Sequence, residues 1–236
     1  MMSSIKIELH RSPVDNGIRE QVVELVSANA TALAMTHPPI GHPKFEAYKI
    51  ALMIEVWSYL GMEAPYRMEL ITASSDGVLI GFTLCGLPIN GSTTESGIYY
   101  TVVSKPFRGQ GVLTLMMNNI LARYPSVALS CDVALVPIYE RYGFHCHSLR
   151  HNQIRMFLGE PVEETPVLSV DDLMENPGVV LARKEAAEKF SVHEMDRADR
   201  ALAKRIRTDE LNAKRFLQQR LKSRKPTPNV VPPAHA

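Results

Sequence analysis

The chain has 236 residues, 45% of them hydrophobic and 22% charged, which suits a soluble globular protein with one sizeable core and something appended to it. Its three cysteines, Cys85, Cys131 and Cys146, are odd in number and lie in or beside apolar runs, which argues against a disulfide framework and for a reducing, cytoplasmic setting. Net charge is only +1, yet residues 183–225 carry 14 Lys/Arg against 7 Asp/Glu, +7 against −6 elsewhere, which sets the C-terminal segment apart as a separate unit. The N-terminus lacks the basic segment and apolar block of a signal peptide. The longest apolar stretch, residues 50–60, is broken by Glu55 and too short to span a bilayer, so no membrane role is expected.

In chain order, Ile5 to His10 alternates and predicts a strand. Gly17 to Leu33 places Ile18, Val22, Leu25, Val26 and Leu33 at helical spacing, with Asn16 as the expected cap. The prolines of His37–Pro43 require a loop. A second helix follows, with Phe45, Tyr48, Leu52, Val56 and Tyr59 on one face and Gly61 as its stop. Tyr66–Ala73 and Val78–Cys85 read as strands joined at Asp76-Gly77, a strong hairpin signal. Asn90–Ser96 is a loop, Ile98–Val103 a strand, and Val112 to Ile120 a helix ending before Pro125. Val127–Cys131 predicts a short buried strand, Ile138–Tyr142 a helical turn, and Phe144–Leu158 a hairpin turning at His151-Asn152.

The order β-α-α-β-β-β-α-β-α-β-β within about 160 residues predicts an α+β, three-layer α/β/α domain: a mixed, mostly antiparallel sheet with flanking helices. The expected division is a domain over residues 1–160, then a linker, a charged helical extension and a proline-rich terminus over 161–236. In that second part Pro161–Pro166 is the linker, Ser169–Glu175 a short helix and Asn176-Pro177-Gly178 a turn. Ser191–Glu194 has the form of a capping box opening a long helix, whose apolar stripe is thin: Leu202, Ile206, Ala213, Leu217 and Leu221. Lys225–Pro233 is too proline-rich for regular structure.

The stretch Thr101–Met116 carries the chemistry. A β-branched strand ends in Ser104-Lys105-Pro106-Phe107-Arg108-Gly109-Gln110-Gly111 and a helix begins at once. Glycines at such a junction let several amide N–H groups converge on one anion, and the helix N-terminus adds its dipole. The loop has neither the Lys-Ser/Thr ending of a nucleoside-triphosphate loop nor the three-glycine dinucleotide fingerprint. About thirty residues on comes Tyr139-Glu140-Arg141-Tyr142-Gly143-Phe144. The two motifs together, in one strand–loop–helix–strand–helix frame, resemble the GNAT superfamily of N-acetyltransferases, whose patterns are Arg/Gln-x-x-Gly-x-Gly/Ala and Tyr-Glu-(Lys/Arg)-x-Gly-Phe.

That resemblance implies acetyl-CoA as donor and co-substrate, with no metal. It implies that Arg108, Gly109, Gln110, Gly111, Val112 and Leu113 hold the pyrophosphate, that Val103 lies on the strand pairing with the pantetheine arm, and that this strand splays from Val127–Cys131. It assigns Tyr139 to protonating the departing thiolate. Leu113 stands where the family has a small residue, and Asp132 where it often has asparagine. Independently of any family, acyl transfer to an amine needs a proton acceptor, donors for the oxyanion and an acid for the thiolate. The strand Ile98–Val103 has no carboxylate, so Glu95, Asp132, Tyr99 and His147 all stand as candidates for the base.

The leading expectation is an N-acetyltransferase acting on a primary amine, on a small molecule or a protein, by direct attack in a ternary complex. The alternative is a non-enzymatic scaffold of the same fold, a component of a larger assembly such as a phage particle, acting through the C-terminal helix. For either, residues 183–225 offer a surface to a protein partner or a second copy. Nucleic acid is disfavoured, because the basic residues there alternate with acids. His145, Cys146, His147 and His151 are grouped in sequence, but strand alternation separates Cys146 from the first two histidines, so no metal site is expected.

Overall fold

The computed structural model describes residues 4–33, 36–162, 165 and 167–223. The expected proline-rich stretch Lys225–Pro233 and part of the linker lie outside them. Seven strands form one sheet in the order β1-β2-β3-β4-β5-β7-β6. They are β1 (Ile5–Arg11), β2 (Met68–Ser75), β3 (Val78–Gly86), β4 (Glu95–Val103), β5 (Ser126–Cys131), β6 (His145–Arg150) and β7 (Gln153–Leu158). All neighbours are antiparallel except β4 and β5. Asp76 and Gly77 both adopt positive φ, at 51° and 78°, which gives the β2–β3 turn the right twist for a two-residue hairpin.

Helix α1 (Asn16–Ala28), the short α2 (Ala30–Leu33) and α3 (Phe45–Leu60) cover one face. Val22, Val26, Leu52, Val56, Tyr59 and Leu60 pack there on Leu70, Phe82 and Leu84. Helix α4 (Val112–Leu121) and the single turn α5 (Val136–Glu140) lie on the other, where Val112, Met116, Met117 and Ile120 meet Ile71, Ile80, Val127 and Ile154. This is the expected layered domain, with differences at the element ends. The cap of α1 is Asp15 rather than Asn16, since it is the Asp15 carboxylate that accepts from Gly17 N at 2.8 Å. The expected single helix to Leu33 breaks at Asn29, whose side-chain amide donates to Leu25 O at 2.8 Å. Strand β4 starts at Glu95, not Ile98, because Glu95, Ser96 and Gly97 find parallel partners in Ser126, Val127 and Ala128.

Beyond Gly159 the chain folds back on the domain. Helix α6 (Val170–Met174) is followed by α7 (Pro177–Lys189) and α8 (Val192–Ser223). Asn176-Pro177-Gly178, expected as a turn, is the start of α7: Asn176 caps it, accepting from Gly178 N at 3.0 Å, and Pro177 occupies its first turn. Small residues let α7 approach α3 closely, with Val179 and Ala182 against Ala47 and Ala51. The capping box at α8 is present, the Glu194 carboxylate accepting from Ser191 N at 2.8 Å and Ser191 Oγ from Glu194 N at 3.3 Å.

Of the thin α8 stripe only Ala213 and Leu217 are buried, joining the core on the α4 side, while Leu221 is exposed. Polar ties flank this contact. Arg220 pairs with Glu140 at 3.2 Å, Asp199 with Lys44 at 2.7 Å, and Arg205 donates to the His37 carbonyl. Truncating Leu217 to Ala should therefore cost about 2 kcal/mol of unfolding free energy, measured by urea denaturation of the full chain. A loss below about 0.5 kcal/mol would show that α8 does not share the core.

Candidate active site

The parallel pairing of β4 with β5 is only three residues long, from Glu95↔Ser126 to Gly97↔Ala128. Beyond it β4 continues to Val103, hydrogen-bonded to β3 on one side, while β5 turns to β7. The edge of β4 over residues 98–103 therefore borders a gap, with backbone donors and acceptors turned towards it. A register shift adds to this: Cys85 pairs with Ile98 and Leu84 with Tyr100, leaving Tyr99 as an extra residue. Such a bulge re-aims side chains, and Tyr99 and Tyr100 accordingly both pack on the α1–α3 face.

At the open end of β4 lies the glycine loop. Lys105–Phe107 forms a single 3₁₀ turn, and Gly109 and Gly111 sit at φ of 76° and 82°. No atom lies within 4 Å of where a Cβ would be at either glycine, so their outer faces border open space. Gly111 is the N-cap of α4 and has no side chain to satisfy the first-turn amides, which are left for an external acceptor. The loop is held from behind. Arg108 Nε donates to Val103 O at 3.0 Å and its Nη2 to Asn29 Oδ1 at 2.9 Å, while Gln110 donates to Pro106 O at 2.8 Å. Leu113, bulky where the resemblance expects a small residue, is half-buried against the core.

Tyr139 comes from α5 on the α4 side of the sheet. It is buried, edge-on to Phe144 at 6.0 Å, and hydrogen-bonded to the Thr101 side chain of β4. Burial pushes its phenol well above the ordinary range, with Cys131 adding to the effect and Thr101 opposing it. The group stays protonated at neutral pH.

On the opposite face stands a carboxylate that the sequence reading used only to exclude a membrane span. Glu55, on the apolar helix α3, is hydrogen-bonded by the hydroxyls of Tyr100 and Tyr59, with Arg150 near enough to act on it electrostatically. Burial raises its pKa above the ordinary carboxylate range, outweighing the lowering by Tyr100, Tyr59 and Arg150. Tyr59 also accepts from Leu168 N at 3.1 Å and packs 5.0 Å from the Tyr99 ring. The available signal was a lone carboxylate inside an otherwise apolar helical run, but only the fold shows that it faces β4.

The structure brings Val103, Arg108–Leu113 and Tyr139 around the open end of β4, whereas the Tyr99 ring lies over Gly86, which pairs with Gly97 at the closed end. Glu95 and His147 stand apart from the open end. Glu95 is at the closed end, six residues and so roughly 20 Å of strand from Thr101. Asp132 is exposed at the end of β5, accepting from Gln153 Nε2 at 3.3 Å. His147 is exposed, its ring edge-on to Phe157 at 4.9 Å. Among the described residues no group of three or more His, Cys, Asp or Glu is placed to hold a metal ion, and no helix is long and apolar enough to cross a membrane.

Residues 55–156 match the family model described as an acetyltransferase (GNAT) domain. Among solved structures, an acyl-CoA N-acyltransferase from Pseudomonas aeruginosa superimposes with a TM-score of 0.50 at 17% identity, covering 66% of this chain and all of its own. The PaiA N-acetyltransferase from Thermoplasma acidophilum, solved in complex with coenzyme A, has a TM-score of 0.47 at 15% identity, covering 66% of this chain and 99% of its own. No curated protein sequence matches the chain.

Proposed function

We propose, from the premise that this chain carries a GNAT acetyltransferase domain, that it moves an acetyl group from acetyl-CoA to a primary amine by direct attack within a ternary complex. One observation supports this above the rest. Tyr100 and Thr101 are consecutive in β4, and through them Glu55 and Tyr139 approach the same point of the strand from opposite faces of the sheet. A carboxylate and a phenol so placed supply the proton acceptor and the proton donor that aminolysis of a thioester requires.

The gap and the glycine loop fit the donor. The amides of Gly109 to Leu113 would hold the pyrophosphate, and the free edge of β4 up to Val103 would pair with the pantetheine arm. Acetyl-CoA supplies the activated acyl group. Glu55 accepts the proton released as the amine nitrogen bonds to the acyl carbon, and a backbone N–H of β4 steadies the oxyanion. As the C–S bond breaks, Tyr139 gives its proton to the sulfur and is reprotonated from solvent. Glu95 lies away from this point of β4 and Asp132 is exposed at the end of β5, and neither is needed for the sequence of steps.

Calorimetric titration with acetyl-CoA tests the donor. Binding in the micromolar range is expected for the parent chain, and a loss of at least about tenfold in Gly111→Val. At φ of 82° a β-branched residue is strained, so the loop would have to move. Absence of binding at millimolar ligand would end this reading.

A further inference from the structure

At the other end of the sheet is a second concavity that the acyl-transfer reading does not use. It is a cavity of about 340 Å³ lined in part by Arg11, Arg67, Glu69, Thr93, Arg123 and Tyr124. Thr93 precedes β4 and Glu69 lies near the start of β2, so the cavity is at the closed end of the β4–β5 pair, whereas the glycine loop is at the open end.

Its charge is unbalanced. Three guanidiniums border it with one carboxylate, an excess of two positive charges. Glu69 is the anchor: its side chain is only 4% exposed, Arg11 Nε donates to Oε1 at 3.2 Å, Tyr124 donates to Oε2 at 2.7 Å, and Arg123 pairs with the same Oε2. Arg123 also donates to the Tyr124 hydroxyl at 3.0 Å. Arg67 is fixed separately, its Nη2 donating to Pro88 O at 2.9 Å and Ser92 O at 3.0 Å.

These contacts employ Nε of Arg11 and Nη2 of Arg67, and each guanidinium has five N–H donors in a rigid fork. A buried anchor that immobilises cationic forks around a cavity removes the ordering cost of gripping an oxyanion with flexible side chains. A purely structural role for Glu69 would be met by Arg123 and Tyr124 alone. It does not account for Arg11 and Arg67 bordering the same space.

We propose that this cavity is a binding site for a small oxyanion, a phosphate or carboxylate group, separate from the acyl-transfer gap. The ligand is at least doubly charged, matching the excess of two, and small enough for the volume. Ser12 and Thr93 offer hydroxyls for its remaining oxygens, the Tyr124 proton being committed to Glu69.

The test is calorimetric titration of the full chain at low ionic strength with inorganic phosphate and, separately, with succinate, both with coenzyme A present so that the glycine loop does not compete. Saturable binding of either anion below about 10 mM is expected, and the tighter of the two assigns the class. Arg11→Gln and Arg67→Gln should each weaken it by about tenfold. Lys184→Gln, which removes an equal charge from the exposed side of α7, should leave it unchanged. The Arg11 side chain is 74% exposed, so that variant tests the site even if Arg67→Gln does not fold. No binding of either anion, or equal weakening by Lys184→Gln, overturns the proposal. Because the arginine variants report on this cavity alone, the result is independent of whether coenzyme A binds.

Discussion

Tyr139→Phe is expected to lower kcat by about a hundredfold and to leave KM for acetyl-CoA within about twofold. The variant keeps the ring, which sits edge-on to Phe144, and removes only the hydroxyl. The hydroxyl is bonded to Thr101 in a buried setting, so its loss should cost about 1 kcal/mol of stability, small against the change in rate. A structural tyrosine would show the second effect without the first. Because burial keeps the phenol pKa well above its ordinary value, the parent chain should show no alkaline loss of the proposed activity from this group between pH 6 and 9. Steady-state kinetics over that range checks both points, and a kcat within twofold of the parent would remove Tyr139 from the reaction.

The second large effect concerns Glu55. Glu55→Gln should reduce kcat/KM for the amine by about a hundredfold and remove the acidic limb of the pH–rate profile. The sign follows from burial. A base must be ionised to act, and the Glu55 pKa lies above the ordinary 4.5, so activity in the parent falls as pH drops through a value higher than an exposed glutamate would give.

Stability should run the other way. With its folded pKa raised over the unfolded one, the carboxyl contributes stability below about pH 4.5 that is lost as pH rises through the folded value. At pH 7 the parent holds an ionised group in a partly desolvated place, and Glu55→Gln should melt no lower than the parent. A variant that loses activity together with several degrees of melting temperature would point to a structural Glu55 instead. The reciprocal substitution Tyr100→Phe takes away a donor to the carboxylate and should move the acidic limb further up in pH.

The likeness of Glu55 to an ordinary helix-face residue explains why the sequence did not disclose it. Residues 50–60 are apolar on nearly every side, since α3 is covered by the sheet and α1 on one flank and by α7 on another. In such a run a carboxylate has no periodic signature. Its proposed role rests on Tyr59 of its own helix, Tyr100 of a strand 45 residues away and Arg150 of another. Glu95, by contrast, is a candidate because the strand itself offers no carboxylate, and at about 3.3 Å per residue it stands at the closed end of β4, six residues before Thr101. The missed helix α7 has a different cause. Asn-Pro-Gly is a strong turn signal, yet in the order cap, first turn, first turn it is also a helix start, and only the Ala-rich contact with α3 decides between them.

What the sequence by itself determined was local. The hairpin at Asp76-Gly77, the loop glycines at Gly109 and Gly111, the capping box at Ser191 and the order of strands and helices up to Leu158 all follow from backbone constraints that act within a few residues. The two motifs belong with them, because an anion cradle and a helical turn ending in Gly143-Phe144 are each built from consecutive residues. What only the tertiary structure decided was which groups meet across β4 and where the C-terminal helices go. The parallel pairing stops after three residues, the bulge turns Tyr99 and Tyr100 to one face, and Ala213 and Leu217 find their place in the core. Each of these depends on packing between residues far apart in the chain, for which periodicity and spacing carry no information.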